Sequence, residues 1–221
     1  GALKRFIAND KEYVLWRLLS KRHYSSIEND EIYLALKEEV AGRYPSEPAL
    51  EYVALSSRYY PSAKRQEQIA DFKALAQRYE GKAISVFPKS TVLRLRFEDL
   101  EKAKAPEADF KALYEDAKAL ENERAAYRGD EHIIANGTFY AYNLCRDLTK
   151  SNLQVMLDDE DVIVVFRNLD KATVTLFKEG KKQSSKKIEN KACSFYVKDT
   201  VRMKKPQLAD GEYTYEAVNG D

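Results

Sequence analysis

What the 221-residue chain has little of sets its first bounds. Its two cysteines, Cys145 and Cys193, are too few for a disulfide framework or a zinc cage. Each reads as a small buried apolar group, and a bridge between them requires that the two regions touch. Its two histidines, His23 and His132, stand far apart with no ligand spacing around either. A helix-end cation or a surface residue accounts for each. Neither a His-Glu-x-x-His pattern nor a Ser-His-Asp set can be picked out, and no metal or cofactor is called for. No apolar run approaches the ~18 residues of a membrane span. An excess of one charge is missing too: the net charge is +1, and from Ser151 onward 12 Lys and Arg balance 12 Asp and Glu. Nucleic-acid binding needs a clustered positive excess, which neither half of the chain has. With 44% hydrophobic and 33% charged residues, the composition is still that of an ordinary folded protein of one or two domains.

What is present changes texture near Ser151. Before it, Leu, Ala and Tyr recur every three or four residues among Lys and Glu, as in Ile32-Tyr-Leu-Ala-Leu-Lys-Glu-Glu-Val40. After it, Asp161-Val-Ile-Val-Val-Phe-Arg-Asn-Leu-Asp-Lys-Ala-Thr-Val-Thr-Leu-Phe177 is β-branched and alternating. A period that switches from about 3.6 to 2 predicts an α+β chain in two parts. Residues 1–150 are expected to form an antiparallel α-helical array, and residues 151–221 a small β-sandwich.

The first helix is expected over about Leu3–His23. Ser25-Ser-Ile-Glu28 reads as the cap of a second, which runs to Arg43-Tyr44 and stops at Pro45. A third is expected from Ser46-Glu-Pro48 to Arg58-Tyr-Tyr60, and a fourth from Ser62 to Tyr79 before Gly81. Residues 83–97 are open between strand and helix, because Val92-Leu-Arg-Leu-Arg-Phe97 alternates; helix is preferred, since helices flank the segment. A long helix follows Pro106 to about Tyr127, and one more is expected over about His132–Leu148. Two signs point to a degenerate tetratricopeptide-like repeat, although the full consensus is absent. The hexapeptide Ala-Asp-Phe-Lys-Ala-Leu occurs at residues 70–75 and again at 108–113, and Arg-Tyr closes helices at Tyr44, Tyr59 and Tyr79.

In the β half, strands are expected at Asn152–Leu157, Val162–Arg167, Thr173–Lys178, Ser194–Val197 and Tyr213–Val218. Asp158-Asp-Glu-Asp161 reads as a solvated turn, since a calcium loop needs alternating ligands and a glycine. Lys178–Lys191, with six lysines around Ser184-Ser185, reads as an exposed hairpin loop. Arg128-Gly-Asp130 reads as a helix break with Gly at its end. Asn136-Gly-Thr138 is a three-residue glycosylation pattern that chance supplies readily.

The order of these pieces resembles a known family. A helical region ending in Asn143-Leu-Cys-Arg-Asp-Leu148 is followed by the strand at Leu153, then by Val164-Val-Phe-Arg-Asn-Leu-Asp-Lys-Ala-Thr-Val-Thr-Leu-Phe-Lys178. Pro206-Gln-Leu-Ala-Asp-Gly-Glu-Tyr-Thr-Tyr215 then supplies a Leu-x-x-Gly-x-Tyr strand start. This is similar to the N-terminal part of bacterial alpha-2-macroglobulin-like proteins of the Bacteroidetes type, in which helical repeats precede a first macroglobulin-like domain. The resemblance covers about Asp130 to Asp221 by motif and the helical part by type alone. It implies a periplasmic or cell-surface protein of a protease-entrapping class, and an opening Gly in place of Met is expected of a chain trimmed of its targeting peptide. The family's Cys-Gly-Glu-Gln thioester is absent here, and no bait region or later domain is seen. The expectation is therefore a non-enzymatic scaffold, not an inhibitor by itself.

Fifteen tyrosines add a second possibility. Tyr13, Trp16, Tyr33 and Tyr52 could line a groove that holds a peptide, the chain then being a tetratricopeptide-type adaptor with a protein or peptide partner. The plainer account is that such aromatics pack between helices. A glycan-acting enzyme is a third reading, which requires two facing acids roughly 5–10 Å apart.

Overall fold

A computed structural model describes residues 10–24, 31–157, 160–169, 171–189, 198–204 and 213–219. Among these, eight helices precede six strands, and the chain divides into two compact units. One is Gly1–Lys104 with Ala112–Cys145; the other is Ala105–Lys111 with Arg146–Asp221. The sequence boundary was expected between residues 150 and 151. The compact units instead group the start of one helix and the last turn of another with the strands.

In the helical unit, α1 (Lys11–Tyr24), α2 (Glu31–Arg43) and α3 (Pro48–Ser57) come first. The expected starts at Leu3 and at the Ser25–Glu28 cap lie outside the described residues. In α1, Val14, Leu15, Leu18 and Leu19 form one stripe of i, i+4 pairs, all buried. Pro48 opens α3, where its missing N–H would find no helical partner in any case. That helix stops at Ser57, short of the expected Tyr60, because Tyr60 precedes Pro61 and the proline ring disfavours helical backbone just before it.

A 3-10 turn (Ser62–Lys64) leads into α4 (Arg65–Arg78), which buries Ile69, Phe72, Leu75 and Ala76 on one face. Gly81, at φ +77°, turns the chain in a left-handed conformation that a side chain would strain. The open segment 83–97 is helical: a 3-10 turn (Ala83–Ser85) runs into α5 (Val86–Ala103). Its periodicity is hard to read because α5 is buried nearly all round from Val86 through Leu95, the polar Ser90 and Thr91 included, so polar residues do not mark an outer face there.

The long helix α6 (Glu107–Ala126) carries the second copy of the hexapeptide. Its Phe110 and Leu113 are buried, as Phe72 and Leu75 are in α4, so the two copies bury the same two positions. The single helix expected over His132–Leu148 is two: α7 (Gly129–Ala135) and α8 (Tyr140–Thr149). Gly137 breaks it, and for a tertiary reason. A Cβ there would lie 2.5 Å from the Phe87 ring, so only glycine lets the chain pass that close.

In the second unit, β1 (Asn152–Leu157), β2 (Asp161–Arg167) and β5 (Lys198–Lys204) form one antiparallel sheet in the order β1-β2-β5. The other has the order β4-β3-β6, with β3 (Lys171–Lys178), β4 (Lys181–Glu189) and β6 (Tyr213–Asn219). The two sheets share one core, in which Val162 and Val164 meet Val174, Leu169 and Ile188.

Two expectations change here. The Lys-rich segment is not a loop but the strand β4, joined to β3 by a two-residue turn at Glu179 and Gly180, both with positive φ. β5 also forms where no strand was expected. The expected strand at Ser194–Val197 falls outside the described residues.

Asn168 occupies the β2–β3 connection at φ +53°. Its Nδ2 donates to the carbonyls of Leu148 at 3.0 Å and Lys150 at 3.1 Å, while the Ser151 hydroxyl donates to the Asn168 carbonyl at 2.9 Å. A helix leaves its last carbonyls without partners, and the Asn168 amide supplies donors at that point.

Candidate functional site

The helical unit carries an open cleft of about 380 Å³ walled by α4, α5 and α6. Its floor is apolar: Val92 and Leu93 from α5, Leu120 from α6, with Ala76 and Ala119 on opposite walls. The alanines keep those walls low, so the cleft stays wide enough to admit an apolar side chain. Lys73, Gln77, Glu80, Lys89, Asp116 and Glu123 rim it.

One end of the rim is a built network. The Lys89 ammonium donates to Glu80 at 3.0 Å and to both Glu123 oxygens at 2.9 and 2.8 Å. Glu123 also accepts from the hydroxyls of Ser85 at 3.3 Å and Tyr127 at 3.2 Å. Partial burial alone would lower the Lys89 pKa, but the hydrogen bonds and charges of Glu123 and Glu80 raise it above the usual lysine value. Burial raises the Tyr127 phenol as well. Glu80 and Glu123 are thus two acids brought close together, the feature that a glycan-acting enzyme requires. Here Lys89 fills the space between them, where a glycosidic oxygen would have to stand.

None of the four aromatics expected to line a groove reaches this cleft. Tyr52 is 2% exposed, packs its ring against Phe72 and Phe87, and shares a 3.1 Å hydrogen bond with Thr91. Tyr33 is also buried, in the same core. Both are wide enough to bridge helices, and that is what they do. Tyr13 and Trp16 stack at 5.4 Å on α1, with Tyr13 exposed and Trp16 half-buried. Alanines and a charged rim mark the cleft instead. The sequence signal for it lies in charges spaced seven residues apart, Lys73 and Glu80 or Asp116 and Glu123, and not in aromatics.

The remaining candidates take structural places. His132 is exposed and bonds Asn136 at 2.8 Å, and His23 lies in α1. Burial pushes the Cys145 thiol pKa up, which favours the neutral thiol, and Cys193 lies outside the described residues. Arg128 donates to the carbonyls of Ala125 and Tyr127 at the break between α6 and α7. Thr138 is buried, and its hydroxyl accepts from the Tyr140 N–H at 3.3 Å, while Arg124 binds the Asn136 side chain. Among the described residues, no cluster of His, Cys, Asp and Glu could hold a metal ion, and no helix is long and apolar enough to cross a membrane. Asp158 and Asp159 fall outside them.

No protein-family model matches the chain, and comparison with curated proteins and with solved structures finds no match.

Proposed function

We propose that the chain is a non-enzymatic protein-interaction scaffold, part of a larger macroglobulin-like protein of the bacterial cell envelope, whose helical unit holds a partner segment in the α4–α6 cleft. The observation that carries the interaction reading is the cleft itself. An apolar floor open to solvent, rimmed by charge and walled by alanines, suits the apolar face of a helix or strand. The macroglobulin part of the reading leans on the order of helical part and strands, and on the motif resemblance around Arg167-Asn168-Leu169. Periplasmic or surface location follows from that resemblance alone. Without a thioester the chain is not an inhibitor by itself, and stoichiometric inhibition of unrelated proteases by it would overturn this point.

A stand-alone adaptor is the second reading. It is favoured by the hexapeptide that buries equivalent Phe and Leu residues in α4 and α6. Both readings place the partner in the same cleft, so one experiment addresses them. The full chain is titrated against an array of amphipathic helical peptides by fluorescence anisotropy, beside an Ala119→Trp variant. Ala119 is an exposed cleft wall, so the indole occupies the cleft without disturbing the core. Binding that Ala119→Trp weakens at least about tenfold, or about 1.4 kcal/mol, supports the proposal. No binding, or binding indifferent to Ala119→Trp, removes it.

A further inference from the structure

Each of the three segments walling the cleft carries two charges seven residues apart. These are Lys73 on α4 with Glu80 in the turn that ends it, Lys89 and Arg96 on α5, and Asp116 and Glu123 on α6. Seven residues of helix rise about 10.5 Å, so the pairs on α5 and α6 each bracket two turns of wall.

The ion pairs show how the pairs line up. Arg65 at the start of α4 meets Glu98 near the end of α5 at 2.7 Å, while Glu80 just past α4 meets Lys89 near the start of α5. Hence α4 and α5 are antiparallel. Arg96 pairs with Asp116 and Lys89 with Glu123, so α6 is antiparallel to α5 as well. The charges therefore gather into two trios at opposite ends of the cleft. Glu80, Lys89 and Glu123 sum to one negative charge; Lys73, Arg96 and Asp116 sum to one positive charge.

The excess at each end sits on an accessible group. Glu80 is 66% exposed even while paired. Lys73 is exposed and makes no ion pair among the described residues, whereas Arg96 is engaged by Asp116. Between the trios the lining carries no charge: Ala76, Val92, Leu93, Ala119 and Leu120 are apolar, and Gln77 is neutral.

We infer that the occupant of this cleft is a partner helix whose apolar stripe is bracketed by a cation and an anion about seven residues apart, the cation meeting Glu80 and Glu123 and the anion meeting Lys73. This rests on the cleft being a protein-binding site, as proposed above. A helical ligand fits because its own seven-residue rise matches the span between the trios. A segment with like charges at the two positions meets repulsion at one end, and a neutral one forgoes both attractions.

The test uses the full chain and four synthetic helical peptides of about four turns that share one leucine stripe. The two bracketing positions, seven residues apart, carry Lys/Glu, Lys/Lys, Glu/Glu or Gln/Gln. Affinities are read by fluorescence anisotropy at low and moderate salt. Two exposed ion pairs predict that the Lys/Glu peptide binds about fivefold more tightly than the other three, with the margin shrinking as salt rises. A Lys73→Glu chain should switch its preference to the Lys/Lys peptide, which no purely apolar groove would do. Equal binding of all four peptides, with Lys73→Glu indifferent, overturns the charge polarity but leaves the cleft as a binding site. Failure of all four peptides, the neutral one included, overturns the underlying reading with it.

Discussion

At the scale of single residues, Tyr60 shows how a polar group outside any cleft is put to structural use. Its hydroxyl donates to Asp71 at 2.5 Å, and the Arg58 guanidinium lies 4.8 Å from its ring centre while pairing with Asp71 and Glu67. This cluster closes the turn between α3 and α4, where Pro61 forbids helix. Burial, helped by the bond to Asp71, pushes the Tyr60 pKa up from 10.0 to about 12. A raised pKa means that the folded protein favours the neutral phenol. The associated stability is fully present below pH 10 and is lost as the pH rises through about 12. The difference in 295 nm absorbance between the parent and Tyr60→Phe, read promptly after a pH jump, should therefore titrate near pH 12. Replacing Asp71 by Asn removes the charge and should bring that midpoint back toward the usual tyrosine value. A parental midpoint already near 10 would contradict the cluster.

At the scale of elements, β4 shows why a strand can hide in a sequence. Its register with β3 sets Lys186 opposite Val174 and Ser184 opposite Leu176. Val174 and Leu176 are buried, so these partners on β4 stand on the core-facing side yet remain exposed. Of β4, only Ile188 is found in the core. A lysine on the inner face of an outermost strand discourages further strands from adding to the sheet. Lys186→Ile should accordingly raise self-association with concentration, seen by light scattering, and should do so more than Lys187→Ile on the opposite face. Equal behaviour of the two variants would argue against edge protection.

The same logic separates what could be read in the chain from what could not. Strands with a core face, such as the one at Val162 and Val164, announced themselves by alternation, and α1 and α4 by their stripes. Two elements escaped for different reasons: β4 is nearly all polar, and the first ten residues of α5 are buried on nearly every side, Ser90 and Thr91 included, so neither shows a contrast of faces. Gly137 could not be interpreted without Phe87, its neighbour in space but fifty residues away in sequence. The cleft was missed because it is built from alanines and paired charges, whereas the aromatics that drew attention belong to the core.

At the scale of the whole molecule, each compact unit owns its core. One joins α1 through α5 around Leu18, Phe72 and Phe87; the other joins the two sheets around Val164 and Val174. Among the described residues these two clusters have no member in common, so the two units are expected to lose structure in separate steps. The single tryptophan, Trp16, lies in α1 and reports on the helical unit alone. Leu18→Ala, at a fully buried site, should cost about 2–5 kcal/mol and move the tryptophan-fluorescence midpoint in urea to lower concentration. Val164→Ala is equally buried but in the other core. It should leave that midpoint unchanged while hastening hydrogen exchange at amides of β2 and β3. If Val164→Ala shifts the tryptophan transition as far as it shifts exchange in the strands, the cores melt as one. The two units would then be a single cooperative domain.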